Sequence, residues 1–141
     1  MKRLAVLSVM AVLFSAACAF GAVQDFGKFT LDIPEGWTAT QDGSTVGIVK
    51  DDSTASMSIT IDSTEGASLK DIAEEFSKAF SGTKPEADSD GDYSFEFKNQ
   101  NGVNSNCIVT SEEGEYALLV LTGLENAPDD MSAILGSFNM K

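Results

Sequence analysis

The sequence has 141 residues, with 22 acidic and 9 basic side chains, a net charge of −13 and no histidine. The charge excludes nucleic acid and anionic lipid as natural partners, since both repel an acidic surface, and favours solubility or basic partners. The missing histidine removes Ser-His-Asp and Cys-His nucleophile pairs, histidine general bases and most zinc or haem sites.

Met1-Lys2-Arg3 is a basic start, followed by an apolar run over residues 4–14 and small residues from Ser15 to Ala19. This pattern predicts a secretory signal over residues 1–19, with cleavage between 17 and 22 and a single domain over 20–141. The run is too short to cross a membrane, and no stop-transfer pattern follows. Ala17-Cys18-Ala19 fits the small-x-small rule of the ordinary signal peptidase. Ser15-Ala16-Ala17-Cys18 resembles a lipobox, with serine in place of the usual leucine. The first route gives a periplasmic or secreted protein, the alternative an envelope protein lipid-anchored through Cys18. Loss of Lys2 and Arg3 would deepen the negative charge by two. Cys107 is the one cysteine outside this segment, so no internal disulfide is expected and stability must come from the core.

After a short lead containing Phe26, residues 28–33 alternate, with Phe29, Leu31 and Ile33 on one face and Thr30 and Asp32 on the other. Pro34 and Gly36 end this strand in a turn. Trp37, the sole tryptophan, is expected to fold back over the apolar face as a core plug rather than to stack on a ligand, with its indole N–H needing a partner. Residues 38–44 read as a polar loop with Asp42-Gly43 as its turn signal. Residues 45–50 and 56–62 read as strands joined by the turn Asp51-Asp52-Ser53-Thr54.

Ser68 is placed as a helix cap, and Leu69, Ile72, Ala73, Phe76 and Phe80 recur at helical spacing. Gly82 is the expected left-handed stop, and Pro85 prevents resumption. Tyr93, Phe95 and Phe97 alternate ahead of Asn101-Gly102, the strongest short hairpin signal in the chain. A two-residue turn would oppose Phe95 to Ile108 and Phe97 to Asn106, whereas a longer loop would bring Cys107 and Val109 onto the aromatic face; the pattern leaves both open. Residues 116–121 are apolar without alternation, which favours a central strand covered on both faces. Pro128, Asp129 and Asp130 open a second helix carrying Met131, Ile134, Leu135 and Phe138, with Gly136 predicting a frayed or closely packed end.

Chemistry-bearing motifs are few. No phosphate-cradling glycine loop is present, and Gly43 to Gly47 is a bare spacing without the lysine. Asp88, Asp90 and Asp92 sit at alternate positions, like the start of a calcium loop, but Gly91 comes one place early and Asn99 replaces the bidentate glutamate. A solvated turn is the simpler account, and a low-affinity Ca²⁺ contact is the alternative. Glu112, Glu113 and Glu115 form a second acidic run without a singled-out catalytic pair. Cys107, beside Ile108 and Val109, reads as a buried inert thiol rather than a reactive one.

The run Phe29-x-Leu31-x-Ile33-Pro34-x-Gly36-Trp37, followed by strands, a helix, a meander and a final helix, resembles the PsbP/Mog1/DcrB-like superfamily over residues 26–138. The resemblance implies an α+β protein, an α/β/α sandwich with a central, mostly antiparallel sheet of about six strands and two covering helices. It also implies a mainly non-enzymatic group that includes photosystem extrinsic subunits, a Ran-binding protein, envelope proteins linked to phage entry and chaperones of secreted toxins. The histidines implicated in metal binding by plant members are absent, and the export signal disagrees with nuclear members, so neither photosystem nor Ran function carries over. The resulting expectation is a non-enzymatic exported module that binds another envelope protein through the sheet edge or a groove beside the helices and needs no cofactor. The alternatives are a calcium-responsive binder using Asp88, Asp90 and Asp92, and a carboxylate-dependent hydrolase.

Overall fold

The computed structural model describes residues 22–141; the signal segment expected over residues 1–19 and the lipidation candidate Cys18 lie outside the described residues. The first strands are β1 (Ala22–Asp25), β2 (Phe29–Ile33), β3 (Trp37–Asp42), β4 (Thr45–Lys50) and β5 (Ser56–Ser63). Helix α1 (Leu69–Phe80) follows, then β6 (Glu86–Ala87), β7 (Tyr93–Lys98), β8 (Asn104–Glu112) and β9 (Glu115–Thr122). A short 3-10 turn at Leu124–Asn126 leads to α2 (Pro128–Ser137) and β10 (Asn139–Met140). The main sheet has seven antiparallel strands in the order β3-β4-β5-β9-β8-β7-β6, and β1-β2-β10 form a separate three-stranded sheet.

The core follows from β9, which is buried on both faces because its residues alternate between two apolar clusters. Ala117, Leu119 and Leu121 pack with Val46, Ile48, Met57, Ile59 and Ile61 beneath β2, Trp37 and the α2 residues Met131 and Ile134. Leu118 turns the other way and packs with Phe95, Cys107, Val109 and the apolar stripe of α1. Complete burial of a side chain such as Leu31 or Ile134 stabilises by about 1.5–3 kcal/mol. The two covers are offset. One lies over β4, β5 and β9 on one face, and α1 lies over β7, β8 and β9 on the other.

Several details differ from the sequence reading. The strand at 29–33 is not part of the main sheet; β1 and β10 satisfy both its edges, and its buried side faces the main sheet from above. Residues 37–42 form an edge strand rather than a loop, since exposure of most of its side chains leaves no alternating apolar signature. The left-handed stop of α1 is Ser81, at φ 56°, and not Gly82. Gly82 is instead required by close packing, because a Cβ there would stand 2.8 Å from both the Glu96 carbonyl oxygen and the Phe95 ring. Gly136 lies near the end of α2 with open space around it rather than a close neighbour.

The β7–β8 hairpin takes the longer loop. Phe95 pairs with Cys107, Tyr93 with Val109 and Phe97 with Ser105. Asn99 decides this register, because its side-chain oxygen accepts the N–H groups of Asn101 and Val103 and closes the wider turn. At α1, Ser68 Oγ accepts the Asp71 N–H at 3.1 Å, satisfying one of the free donors of the first turn.

Candidate functional site

The offset of the two covers leaves a groove on the α2 side of the main sheet. α1 covers the opposite face of β7 and β8, so Tyr93, Phe95 and Phe97 turn toward it and Ser94 and Glu96 turn away. On β8, Ile108 and Asn106 share that outward face beside Leu121 of β9. α2 and the turn before it stop short of β7, and Leu124, Ser132 and Leu135 line a groove of about 620 Å³. Thr83, Lys84 and Glu86 form the far rim.

This rim is held by one backbone bond and two bonds between backbone and side chain. Thr83 N–H donates to the Glu96 carbonyl at 2.8 Å, and Glu96 N–H donates to Thr83 Oγ1 at 3.0 Å. Ser77 Oγ donates to the Thr83 carbonyl at 2.6 Å, tying the rim to α1. The groove therefore joins an apolar floor of Ile108, Leu121, Leu124 and Leu135 to a rim of mixed charge.

The sequence-singled residues lie elsewhere. Phe29, Leu31, Ile33 and Trp37 are buried in the first core cluster, and Trp37 Nε1–H donates to Asp130 Oδ2. Pro34 and Gly36 make the turn before β3: the Trp37 N–H donates to the Pro34 carbonyl and Gly36 has φ 90°. Asp88 Oδ1 accepts the N–H groups of Asp90 and Asp92, and Asp92 Oδ1 accepts the Thr110 hydroxyl at 2.7 Å. Among the described residues, no three carboxylate or thiol side chains gather closely enough to hold a metal ion. Cys107 is fully buried, and burial pushes its thiol up to about 12. The Tyr116 phenol is also raised, first by burial and then by Asp62, Glu65 and Glu75.

The groove residues were not singled out by sequence reasoning. Ser94, Glu96 and Asn106 look like ordinary solvent-facing strand positions. The available signal was Ile108, an apolar residue on the face opposite Cys107 and Val109.

No family model and no curated protein matches the sequence. Solved structures do match. The solution structure of cyanobacterial PsbP from Synechocystis sp. PCC 6803 aligns with a TM-score of 0.61 and 16% identity, over 87% of this chain and 94% of that one. The chain has the PsbP fold. A crystal structure from Bacteroides thetaiotaomicron VPI-5482 aligns with a TM-score of 0.56 and 13% identity. That alignment covers 88% of this chain but only 49% of the other, so the PsbP-like chain spans about half of its length. The fold implied by the run from Phe29 to Trp37 is thus the one observed, with the first strand set in its own small sheet. Among the described residues, no helix of this PsbP-like chain is long and apolar enough to cross a membrane.

Proposed function

We propose that this chain is an exported, non-enzymatic accessory module that binds another envelope protein through the groove between β7, β8 and α2. The observation that carries the reading is the apolar floor of Ile108, Leu121, Leu124 and Leu135 left open beside a polar rim. The PsbP-like fold supports it, because the resemblance implies a mainly non-enzymatic group. The basic, apolar and small-residue pattern of residues 1–19 supports export.

The test is capture from envelope extract by crosslinking, comparing the natural chain with Ile108→Lys and Leu135→Asp. Both positions are partly buried at the groove and also pack against the first core cluster, so a charge there blocks an apolar contact and the melting temperature of each variant is measured beside its binding. The natural chain is expected to return the same specific partner repeatedly, and the variants to lose it with unchanged circular dichroism. A partner set identical in all three chains, or no specific partner at all, counts against the groove.

A further inference from the structure

The two edges of the main sheet are unlike each other. At one, β6 is two residues long, follows Lys84-Pro85, and Thr83 continues the pairing along β7. Short edge strands with Lys and Pro nearby resist further pairing. At the other, β3 has six residues with no lysine, proline or bulge, and Thr38, Thr40 and Gln41 are exposed.

The Asp51 N–H donates to the Gly36 carbonyl at 2.8 Å, which fixes the antiparallel alternation between β3 and β4. Thr38, Thr40 and Asp42 turn their backbone groups inward to β4. Ala39 and Gln41 turn theirs outward, and among the described residues these outward groups have no partner.

The side chains around this edge select what can pair with it. Asp42 stands at one end of β3, and Glu35 and Asp51 at the other, with an uncharged stretch between. Two copies pairing through Ala39 and Gln41 would set Asp42 of one opposite Thr38 of the other, whose hydroxyl already donates to Asp51 at 3.1 Å. Like charges then meet at both ends, which disfavours a second copy. A notch of about 270 Å³ at Gln41, near the Asp42 end of β3, is lined by Phe26, Phe29 and Ile61 together with Lys28, Gly43 and Ser44, so it takes an apolar residue of the segment and not one of its basic ends.

We infer that β3 is a docking edge that accepts an extended segment of another protein as an additional strand. The segment carries basic residues at its ends and an apolar residue between them, facing the notch. Main-chain bonds to Ala39 and Gln41 supply affinity, and the end charges and the notch supply selectivity. This rests on the reading of the chain as a protein binder but uses a surface separate from the groove.

The test is amide hydrogen exchange by NMR on the protein with a synthetic peptide of about ten alternating Val and Thr residues, lysine at both ends, against a glutamate-ended control. The lysine-ended peptide is expected to slow exchange at Ala39 and Gln41 and to leave Asn106 and Ser132 in the groove unchanged. Ala39→Pro removes only an outward N–H and is expected to weaken binding roughly tenfold, the size of one hydrogen bond. Asp42→Lys with Asp51→Lys, which removes the Thr38 hydroxyl bond to Asp51 but none of the backbone pairing of β3 with β4, is expected to reverse the preference between the peptides. Unchanged exchange at both amides with millimolar peptide, equal binding of the two peptides, or protection confined to the groove overturns the inference. Concentration-dependent protection without peptide overturns it in favour of a second copy, and in every case the groove variants are read separately.

Discussion

The indole N–H of Trp37 donates to Asp130 Oδ2 at 2.9 Å, linking the first residue of β3 to the first turn of α2. The ring is 7% exposed and lies in the core cluster with Phe29, Leu31 and Ile33. The bond thus holds a helix, an edge strand and the small sheet to one another. Asp130 also sits where a carboxylate complements the positive end of the helix dipole.

Trp37→Phe keeps an aromatic plug and removes the donor. A hydrogen bond to a charged group contributes about 1.5–3 kcal/mol, so the unfolding free energy is expected to fall by that amount in urea titration. Trp37→Ala also opens a cavity and is expected to cost about 3–5 kcal/mol. Equal stability of Trp37→Phe and the natural chain would show that the bond contributes little.

The buried thiol of Cys107 gives the protein an alkaline dependence. Its proton is held to about 12 when folded, against an ordinary value of 9.0. A folded value above the unfolded one means that the stabilisation is complete below pH 9 and is lost as pH rises toward 12, because the unfolded chain releases the proton first. Tyr116 acts in the same direction from its own higher starting value. Cys107→Ala is therefore expected to flatten the fall in melting temperature between pH 9 and 11, and the native thiol is expected to resist thiol reagents at neutral pH. A slope unchanged by Cys107→Ala would assign the whole effect to other groups.

Substitutions at the end of α1 separate strain from packing. Ser81 holds a left-handed conformation at φ 56°, so Ser81→Gly is expected to stabilise by about 0.5–1 kcal/mol. Gly82 has no such strain but lies against Glu96 and Phe95, so Gly82→Ala is expected to destabilise by about 1–3 kcal/mol. The opposite signs at adjacent positions can be read from melting temperatures alone.

At the acidic turn, Asp88 already accepts two backbone N–H groups and Asp92 holds Thr110. Asp88→Ala is expected to loosen the turn and speed hydrogen exchange at Asp90 and Asp92. Millimolar Ca²⁺ is expected to leave the melting temperature at its Mg²⁺ value, because three carboxylates do not gather around one point in this turn. A Ca²⁺-specific rise abolished by Asp→Asn changes at 88, 90 and 92 would make the turn a cation site.

What could be read from the sequence was whatever buries apolar surface at a regular period. The α1 stripe, the alternation of Met57, Ile59 and Ile61, and the continuous run in β9 each leave such a pattern. β3 left none because an exposed edge strand such as Thr38-Ala39-Thr40 has the composition of a loop. β1, β6 and β10 are too short to show a period. The hairpin register turned on a single side chain, Asn99, whose hydrogen bonds outweigh the usual preference at Asn101-Gly102 for a two-residue turn. The groove was hidden for a different reason. It is defined by where two covers end, and no residue announces that.

The small sheet also dictates an order of events during synthesis. β2 is flanked by β1, which precedes it, and by β10, where Met140 pairs with Phe29, the Lys141 N–H donates to the Lys28 carbonyl and the Lys141 side chain meets Asp25 at 2.7 Å. Phe29 also packs on Phe138, with ring centroids 5.3 Å apart. Until residues 128–141 have emerged, β2 has one open edge and the apolar side of β4, β5 and β9 has no helix over it. Closure of the first core cluster is therefore a late, long-range step. A ribosome-bound chain lacking that stretch stays unfinished, with the apolar faces of β2 and β9 still exposed.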